Sequence, residues 1–546
     1  MQPIENILKD LLSQALQTAY DIEADIHIET PKDTSHGDLS SNVAMTQART
    51  LKTNPRTIAQ TIVAHLEESP YVESVNIAGP GFINFFIADT YYHQVVPEIL
   101  ERKTAFGDGE TGKGQSVNIE YCSVNPTGSI HVGHARGAAA GDSLARIMDK
   151  AGYNVTREYY VNDAGNQIDN LAKSIEARYK ELHGRDGTMP EDGYFGKEII
   201  ELAQTIKSQY GGSYLDNDEA LQFFKRHGVD LFLEIIKQDL ADYGVTFDVF
   251  FSEQSLYDDN EVQSTLTYLK DRNLTYEADG AIFLKTSEYG DEKDRVIVKS
   301  DGTYTYLMPD IAYHKNKIDR GFDTLINILG SDHHGYVNRL QAAIEMISGH
   351  TNKLEVNLLQ IVRVFQEGEE VKMSKRSGRA ITLRDLIDDA GRDAIRYFFA
   401  RHSLNTHMDL DLDLAIRKST DNPVFYAQYA HARIITLINK AKSQGYDIDP
   451  SHMTYETLKS SDARVLLKWL SRYPGVIEEA AQKREVHKLA NFVHSLSSSL
   501  HSFYSNVPVI KASDQRIVEH LNLMEAVRIV LSQSLNLLGV SAPTSM

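Results

Sequence analysis

Cysteine occurs once in this 546-residue chain, at Cys122. A disulfide framework within the chain and any cysteine-cluster zinc site are thereby excluded. The lack of disulfides fits a reducing, cytoplasmic compartment. Uninterrupted apolar runs of about 18 residues are missing, so no membrane-spanning helix is expected. The opening residues, Met1-Gln2-Pro3-Ile4-Glu5, lack the basic start and apolar stretch of a secretory signal. Basic side chains are in deficit: 56 Lys and Arg against 76 Asp and Glu give a net charge of −20. That balance argues against indiscriminate binding to nucleic acid or anionic membranes, yet allows an RNA partner held by local basic patches. No internal repeat is present. What remains is the composition of an ordinary globular protein, 42% hydrophobic and 24% charged. Its length exceeds one hydrophobic core, so roughly two to four domains are expected.

The spacing predicts a small mixed domain first. Ile4–Tyr20 reads as a helix with Ile7, Leu8, Leu11, Leu12 and Leu16 on one side. Val75-Asn76-Ile77 and Phe82–Ile87 read as strands about the turn Gly79-Pro80-Gly81. The polar, glycine-rich run Gly107-Asp108-Gly109-Glu110-Thr111-Gly112-Lys113-Gly114 reads as a flexible linker. Val117, Ile119 and Tyr121 then alternate as a strand, a helix is expected over 134–151, and the next strand over 155–161. Strand–helix–strand order predicts a parallel sheet with a nucleotide site at the carboxyl ends of its strands. Residues 165–245 read as helices, 223–243 among them, inserted between halves of that sheet. Strand-like runs return at 281–284, 295–298, 303–307, 324–329 and 358–364. From Asn422 the chain is helical, with Pro423 at a helix start.

Chemistry is densest in Asn125-Pro126-Thr127-Gly128-Ser129-Ile130-His131-Val132-Gly133-His134, where strand gives way to helix. Gly133 has no side chain, so a flat adenine ring can approach the backbone. His131 and His134 share one face and can donate to ATP phosphates beside the positive end of the helix. The small residues Gly137-Ala138-Ala139-Ala140-Gly141 would let this helix press against the sheet. A bare pair of this kind is equally well two surface histidines on a capped helix. Far downstream, Lys372-Met373-Ser374-Lys375-Arg376-Ser377-Gly378 places cations and hydroxyls on an expected loop. Such a loop can close over a triphosphate and neutralise charge as pyrophosphate departs. Taken alone it would be a solvated basic turn.

Together the two segments and the intervening sheet resemble the class I aminoacyl-tRNA synthetases, whose paired motifs read His-Ile-Gly-His and Lys-Met-Ser-Lys-Ser. This chain departs at Val132 and Arg376 and keeps both histidines and both lysines. Three longer stretches are similar to arginyl-tRNA synthetases, in the same order: Ala78-Gly79-Pro80-Gly81-Phe82-Ile83-Asn84, residues 125–146, and Asn422-Pro423-Val424-Phe425-Tyr426-Ala427-Gln428-Tyr429-Ala430-His431-Ala432-Arg433. The resemblance implies an α/β fold. Its catalytic domain would be a Rossmann-like parallel sheet over residues 109–410, with a helical insertion near 165–245. A small α+β N-terminal, tRNA-contacting domain would span 1–108, and an all-α anticodon-binding domain 411–546.

The same resemblance implies site residues. His131, His134, Lys372 and Lys375 would stabilise charge in the reaction, and Gly133, Asp332 and Ser374 would join them around ATP. Asn125 matches the residue that holds the backbone end of the amino acid, while Glu253, Tyr306 and Asp310 match the grip on the side chain. A guanidinium calls for such groups, because it carries five N–H donors and stays charged. Within Gly330-Ser331-Asp332-His333-His334-Gly335, Asp332 is placed at the ribose and His333 at the substrate. A metal phosphoesterase would need further aspartate clusters on neighbouring strand ends, and none is suitably placed. The alternating Asp409-Leu410-Asp411-Leu412-Asp413-Leu414 reads as a solvated strand edge.

Asp393-Ala394-Ile395-Arg396 matches the motif Asp-Ala-Leu-Arg that names the family's anticodon-binding domain, though an ion pair within one helix would explain it equally. Tyr429 and Arg433 are the candidates for RNA contact, since splayed bases are held by aromatic stacking and arginine. Near Ser505-Asn506-Val507-Pro508 an arginine of the family pattern is missing. His36-Gly37-Asp38 and Asn84 lie in segments matching the N-terminal domain. The implied substrates are ATP with Mg²⁺, L-arginine and tRNA(Arg). No structural zinc, no protein-held metal and no membrane partner are expected, and the chain is expected to be monomeric. A synthetase for another amino acid would lose the Tyr306/Asp310 pair. A non-catalytic RNA-binding paralogue would lose His131, His134 or Lys375.

Overall fold

Five parallel strands form the centre of the molecule. They are β1 (Ser116–Glu120), β2 (Asn154–Val161), β3 (Val249–Ser252), β4 (Thr324–Gly330) and β5 (Leu354–Leu359), in spatial order β5-β4-β1-β2-β3. Every neighbouring pair runs parallel. Val117, Asn118 and Ile119 on β1 are wholly buried, as befits a strand covered on both faces. The chain leaves β1 toward β2 on one side and returns through β4 on the other. That reversal opens a crevice at the carboxyl ends of β1 and β4, the switch point where α/β sheets bind ligands. The computed structural model describes residues 2–371, 380–451, 453–510 and 513–546.

Helix α1 (Val132–Lys150) follows β1 and packs so closely that a Cβ on Gly141 would lie 2.2 Å from the Tyr121 ring. The small-residue run therefore does what its composition predicts. Between β2 and β3 the helices Asn166–Leu182, Lys197–Tyr210 and Ala220–Asp242 enclose their own core, built on Leu171, Ile175, Tyr179, Ile199, Phe224 and Phe232. After β3 come α2 (Leu307–Asp319), then β4, then α3 (His334–Ser348).

Several expectations are corrected here. Residues 303–307 make no strand: only the isolated bridge Val298↔Tyr304 forms, and the chain enters α2 at Leu307. Residues 358–364 belong to two strands, β5 and Val362–Gln366, with Gln360 turned aside to bond Leu404. The glycine-rich run at 107–114 is packed rather than loose. Gly109 and Gly112 donate to the carbonyls of Lys150 and Ala151, at 2.9 and 3.0 Å, and a Cβ on Gly112 would lie 2.2 Å from Tyr153. Glycine is needed there for close approach.

At the N-terminal end four antiparallel strands and the helix Ile4–Tyr20 share one core. Asn84 accepts from Ser40 inside that sheet, and Asp38 pairs with Arg464 and Lys468 from the C-terminal helices. The C-terminal part is built from α4 (Pro423–Lys442), α5 (Ser461–Lys483), α6 (His487–Asn506) and α7 (Asp514–Leu537). Asn422 caps α4 by accepting from the Val424 N–H, with Pro423 in the first turn.

The Asp393/Arg396 motif is not an internal ion pair. Arg396 is fully buried and donates to Asp142 of α1, to the Tyr243 and Gly244 carbonyls, and to the Leu538 carbonyl just past α7. Asp393 instead accepts from Gln428 and Ser541. One arginine thus ties α1 to the end of the C-terminal helical bundle. Asp409 is bonded by Arg363 at 2.8 Å, and Asp411 caps the helix Leu412–Ile416.

Candidate active site

His131 is the cap of α1. Its backbone is extended and its Nδ1 accepts from the Gly133 N–H at 3.1 Å, which places the ring proton on Nε2 as a free donor. The His134 ring stacks on it with centroids 3.6 Å apart. Burial lowers the proton affinity of both rings, taking His134 to about 4. Both are neutral at physiological pH, so each ring presents an N–H donor rather than a standing cation. Among the described residues the His134 Nδ1 is buried without a partner, an orphan group of the kind a ligand satisfies. A Cβ on Gly133 would sit 3.1 Å from the His131 ring, so glycine also makes room for the stacked pair.

The chain returns to this point at residues 381–383. Leu383 donates to the Ile130 carbonyl at 2.7 Å, and Val132 donates to the Ile381 carbonyl at 3.2 Å. The intervening segment, Lys372, Ser374 and Lys375 included, lies outside the described residues. Its neighbours in sequence nevertheless dock directly against the histidine turn.

The other candidates gather on the far side of the same crevice. Asp332 is exposed, lies 3.5 Å from the His333 ring nitrogen, and raises the proton affinity of both stacked histidines through its charge. A few residues on, Tyr336 donates its hydroxyl to Asp310 in the first turn of α2. Burial pushes Asp310 up to about 7, with Glu120 adding to the effect. Glu253, at the start of the helix Glu253–Asp258, is also pushed up to about 7, chiefly by burial and then by the charge of Asp310. Tyr160 lies beside these carboxylates, and burial together with their charge holds its phenol protonated. Two desolvated carboxylates, the charge of Asp310 raising Glu253 further, form a pocket suited to a cation. Asn125, half-buried in the turn after β1, donates to Gln167 at 2.7 Å.

Tyr306 stands apart from this cluster. It occupies the cap of α2, one turn before Asp310, and is 85% exposed. The phenol that bonds Asp310 belongs to Tyr336, a residue that no motif singled out. Glu120 was also missed. It ends β1 and accepts from buried Lys317 at 2.6 Å. Its place at the carboxyl end of a central parallel strand was the available signal. Among the described residues no group of three or more metal-type side chains could hold an ion, and no helix is long and apolar enough to cross a membrane.

In the C-terminal bundle Arg433 lies 3.6 Å over the Tyr504 ring and 5.8 Å from that of Tyr429, and it meets His501 at 3.3 Å. His501 in turn stacks near Tyr429, with centroids 5.7 Å apart. Tyr429 and Arg433 are thereby brought together on one half-exposed face, whereas Phe503 is core.

A switch-point crevice, a capped histidine pair and a carboxylate pocket define a nucleotide-binding α/β enzyme of the synthetase type. The family described as "tRNA synthetases class I (R), catalytic domain" matches residues 95–434. "DALR anticodon binding domain" matches 427–546, and "Arginyl tRNA synthetase N terminal domain" matches 6–87. An arginine–tRNA ligase of Anoxybacillus flavithermus is 49% identical over 99% of this chain and 98% of its own length. One from Bacillus subtilis is 47% identical over 100% of this chain and 99% of its own. The solved Thermus thermophilus arginyl-tRNA synthetase shares the fold, with a TM-score of 0.78 at 22% identity and complete coverage of both chains, 100% each. This chain belongs to the arginyl-tRNA synthetase family.

Proposed function

We infer that the chain is an ATP-dependent ligase that charges tRNA with L-arginine. The observation that carries this reading is the pair of desolvated carboxylates, Glu253 and Asp310, the second bonded by Tyr336, together with the stacked histidines at the start of α1. Asp310 and Glu253 meet the guanidinium, Tyr306 supplies an exposed ring to cover it, and Asn125 with His333 orients the rest of the amino acid. The arginine carboxylate attacks the α-phosphate of ATP, giving arginyl-adenylate and releasing pyrophosphate. His131 and His134 donate to phosphate oxygens, while Lys372 and Lys375, with Ser374, neutralise charge from the opposite side. Gly133 admits the adenine and Asp332 bonds the ribose. Mg²⁺ enters with ATP as part of that substrate. The 2′-hydroxyl of the terminal ribose of tRNA(Arg) then takes the arginyl group.

The chain divides into a tRNA-contacting domain over 1–108, the catalytic domain over 109–410 and the anticodon-binding domain over 411–546. Tyr429 and Arg433 present stacking and cationic surface to the RNA. The protein acts as a monomer in the cytoplasm. ATP–pyrophosphate exchange across all twenty amino acids, with and without tRNA, is the test. Arginine is expected to give the strongest exchange; a stronger response to any other amino acid overturns the assignment.

A further inference from the structure

Helix α5 carries Arg464, Lys468 and Arg472 at four-residue spacing, so three cations lie along one face. Like charges at that spacing repel, which works against the helix. Compensation comes from the N-terminal domain. Arg464 meets Asp38 at 3.3 Å and Asp89 at 2.9 Å, and it donates to the Ile87 carbonyl at 2.7 Å. Lys468 pairs with the other Asp38 oxygen. Arg472 donates to the Thr30 hydroxyl at 3.1 Å. The Tyr92 ring lies against the first two cations, its centroid 5.7 Å from the Arg464 guanidinium and 5.9 Å from the Lys468 nitrogen.

Asp38 is the hub of this contact. Only 8% of its side chain is exposed, and each of its oxygens has a cation. One oxygen also accepts from the Ile87 N–H at 2.8 Å, which fixes the carboxylate on the sheet. Gly37 allows that placement: its φ is +90°, and a Cβ there would lie 2.6 Å from the Phe85 carbonyl oxygen. The turn His36-Gly37-Asp38 thus aims a carboxylate at α5 and away from any RNA, whose phosphates it would repel. A second joint nearby is apolar. The helix Val95–Arg102 packs against α7 with Val95, Val96 and Ile99 wholly buried, and Phe106 stacks on Tyr473 of α5 at 5.9 Å. That joint anchors the end of the N-terminal domain, while the Asp38 cluster fixes how its four-stranded sheet is turned.

We propose that Asp38 is a positioning residue for tRNA, locking the N-terminal sheet onto α5 so that this domain and the helical bundle meet one RNA together. The proposal rests on the reading that both contact tRNA. Two surfaces held at a fixed separation bind a shared ligand more tightly than either alone, because the second contact is intramolecular. A sheet free to turn about the apolar joint loses that gain, although each surface is itself intact.

The test uses the full chain with two RNAs, cognate tRNA and its isolated anticodon stem–loop, and Kd is read by fluorescence anisotropy. Asp38→Asn keeps the shape of the side chain and an acceptor for the Ile87 N–H while removing the charge. It is expected to raise the Kd for tRNA about tenfold, while the stem–loop Kd, and the KM values for arginine and ATP at saturating tRNA, stay within about twofold. Lys468→Met breaks the same pair from the bundle and should give the same selective loss; it carries the test if Asp38→Asn fails to fold. Combined with Asp38→Asn, it should add nothing to the loss caused by Asp38→Asn alone. Lys468→Arg, which keeps the pair, should bind tRNA as the parent does. Equal losses for tRNA and stem–loop, an additive double variant, or a tRNA Kd left unchanged or lowered by Asp38→Asn overturns the proposal. Ultraviolet crosslinking of tRNA to the parent tests the premise separately: no crosslink within residues 1–108 sinks the reading of that domain as tRNA-contacting, and the proposal with it.

Discussion

Arginine binding should be steeply pH-dependent in a range where most amino-acid sites are flat. Glu253 and Asp310 each titrate at about 7 in the unliganded pocket, and both must be anionic to hold a guanidinium fully. Each is then about nine-tenths ionised at pH 8 and about one-tenth ionised at pH 6. If one ionisation is required, affinity falls roughly tenfold over that span; if both are required, it falls roughly 100-fold. Titration calorimetry of L-arginine at pH 6, 7 and 8 measures this directly. At pH 6.5 binding should also release protons, so the observed heat should vary with the ionisation enthalpy of the buffer. Folding stability follows the opposite trend. Both groups have folded values above their unfolded ones, so their contribution to stability is complete below about pH 4 and is lost as pH rises through about 7. Arginine should therefore raise Tm more at pH 8 than at pH 6. An arginine affinity that is constant from pH 6 to 8, with no buffer-dependent heat, would refute the carboxylate-pocket argument.

Three further outcomes are expected. His134→Ala and Lys375→Ala should each cut ATP–pyrophosphate exchange by roughly 10²–10³ while Tm stays close to the parent's, since each removes a donor to developing phosphate charge; unchanged turnover would remove that residue from the mechanism. Tyr336→Phe deletes the hydroxyl bonded to Asp310 and should weaken arginine binding by about 1.5–3 kcal/mol with the KM for ATP unaltered. Arg396→Leu strands the buried carboxylate of Asp142, for which Arg146 at 2.8 Å is the remaining partner, and should destabilise the chain by about 3 kcal/mol, seen as a lower Tm in thermal denaturation.

Local order was readable where it is set by local chemistry. The helix Ile4–Tyr20 declares itself by apolar spacing, and β1 and β2 by runs of buried branched and aromatic side chains. The cap of α4 at Asn422, followed by Pro423, is likewise a matter of adjacent atoms. Misreadings arose where a neighbour distant in sequence decides the conformation. Residues 303–307 have strand composition but no partner strand beyond one bridge, so the chain turns into α2. The glycines of 107–114 look like those of a linker, yet a Cβ on Gly107 would lie 2.5 Å from Tyr473 and one on Gly112 2.2 Å from Tyr153.

The candidate site divides in the same way. The histidine turn and the lysine-bearing segment were nameable from the amino-acid order, because phosphate chemistry restricts which residue types can serve, whereas Glu253 and Asp310 were named through the resemblance to arginyl-tRNA synthetases. What those residues are in the folded protein depends on long-range contacts. Asp310 meets Tyr336 across 26 positions, Glu120 meets Lys317 across 197, and Asp142 meets Arg396 across 254. Burial makes the histidines neutral donors and places the pocket carboxylates near neutral pH, and burial is a property of packing alone. The sequence by itself determined the reagents; only the tertiary structure decided their partners and their charge, because desolvation and ion pairing arise between groups that the chain brings together by folding.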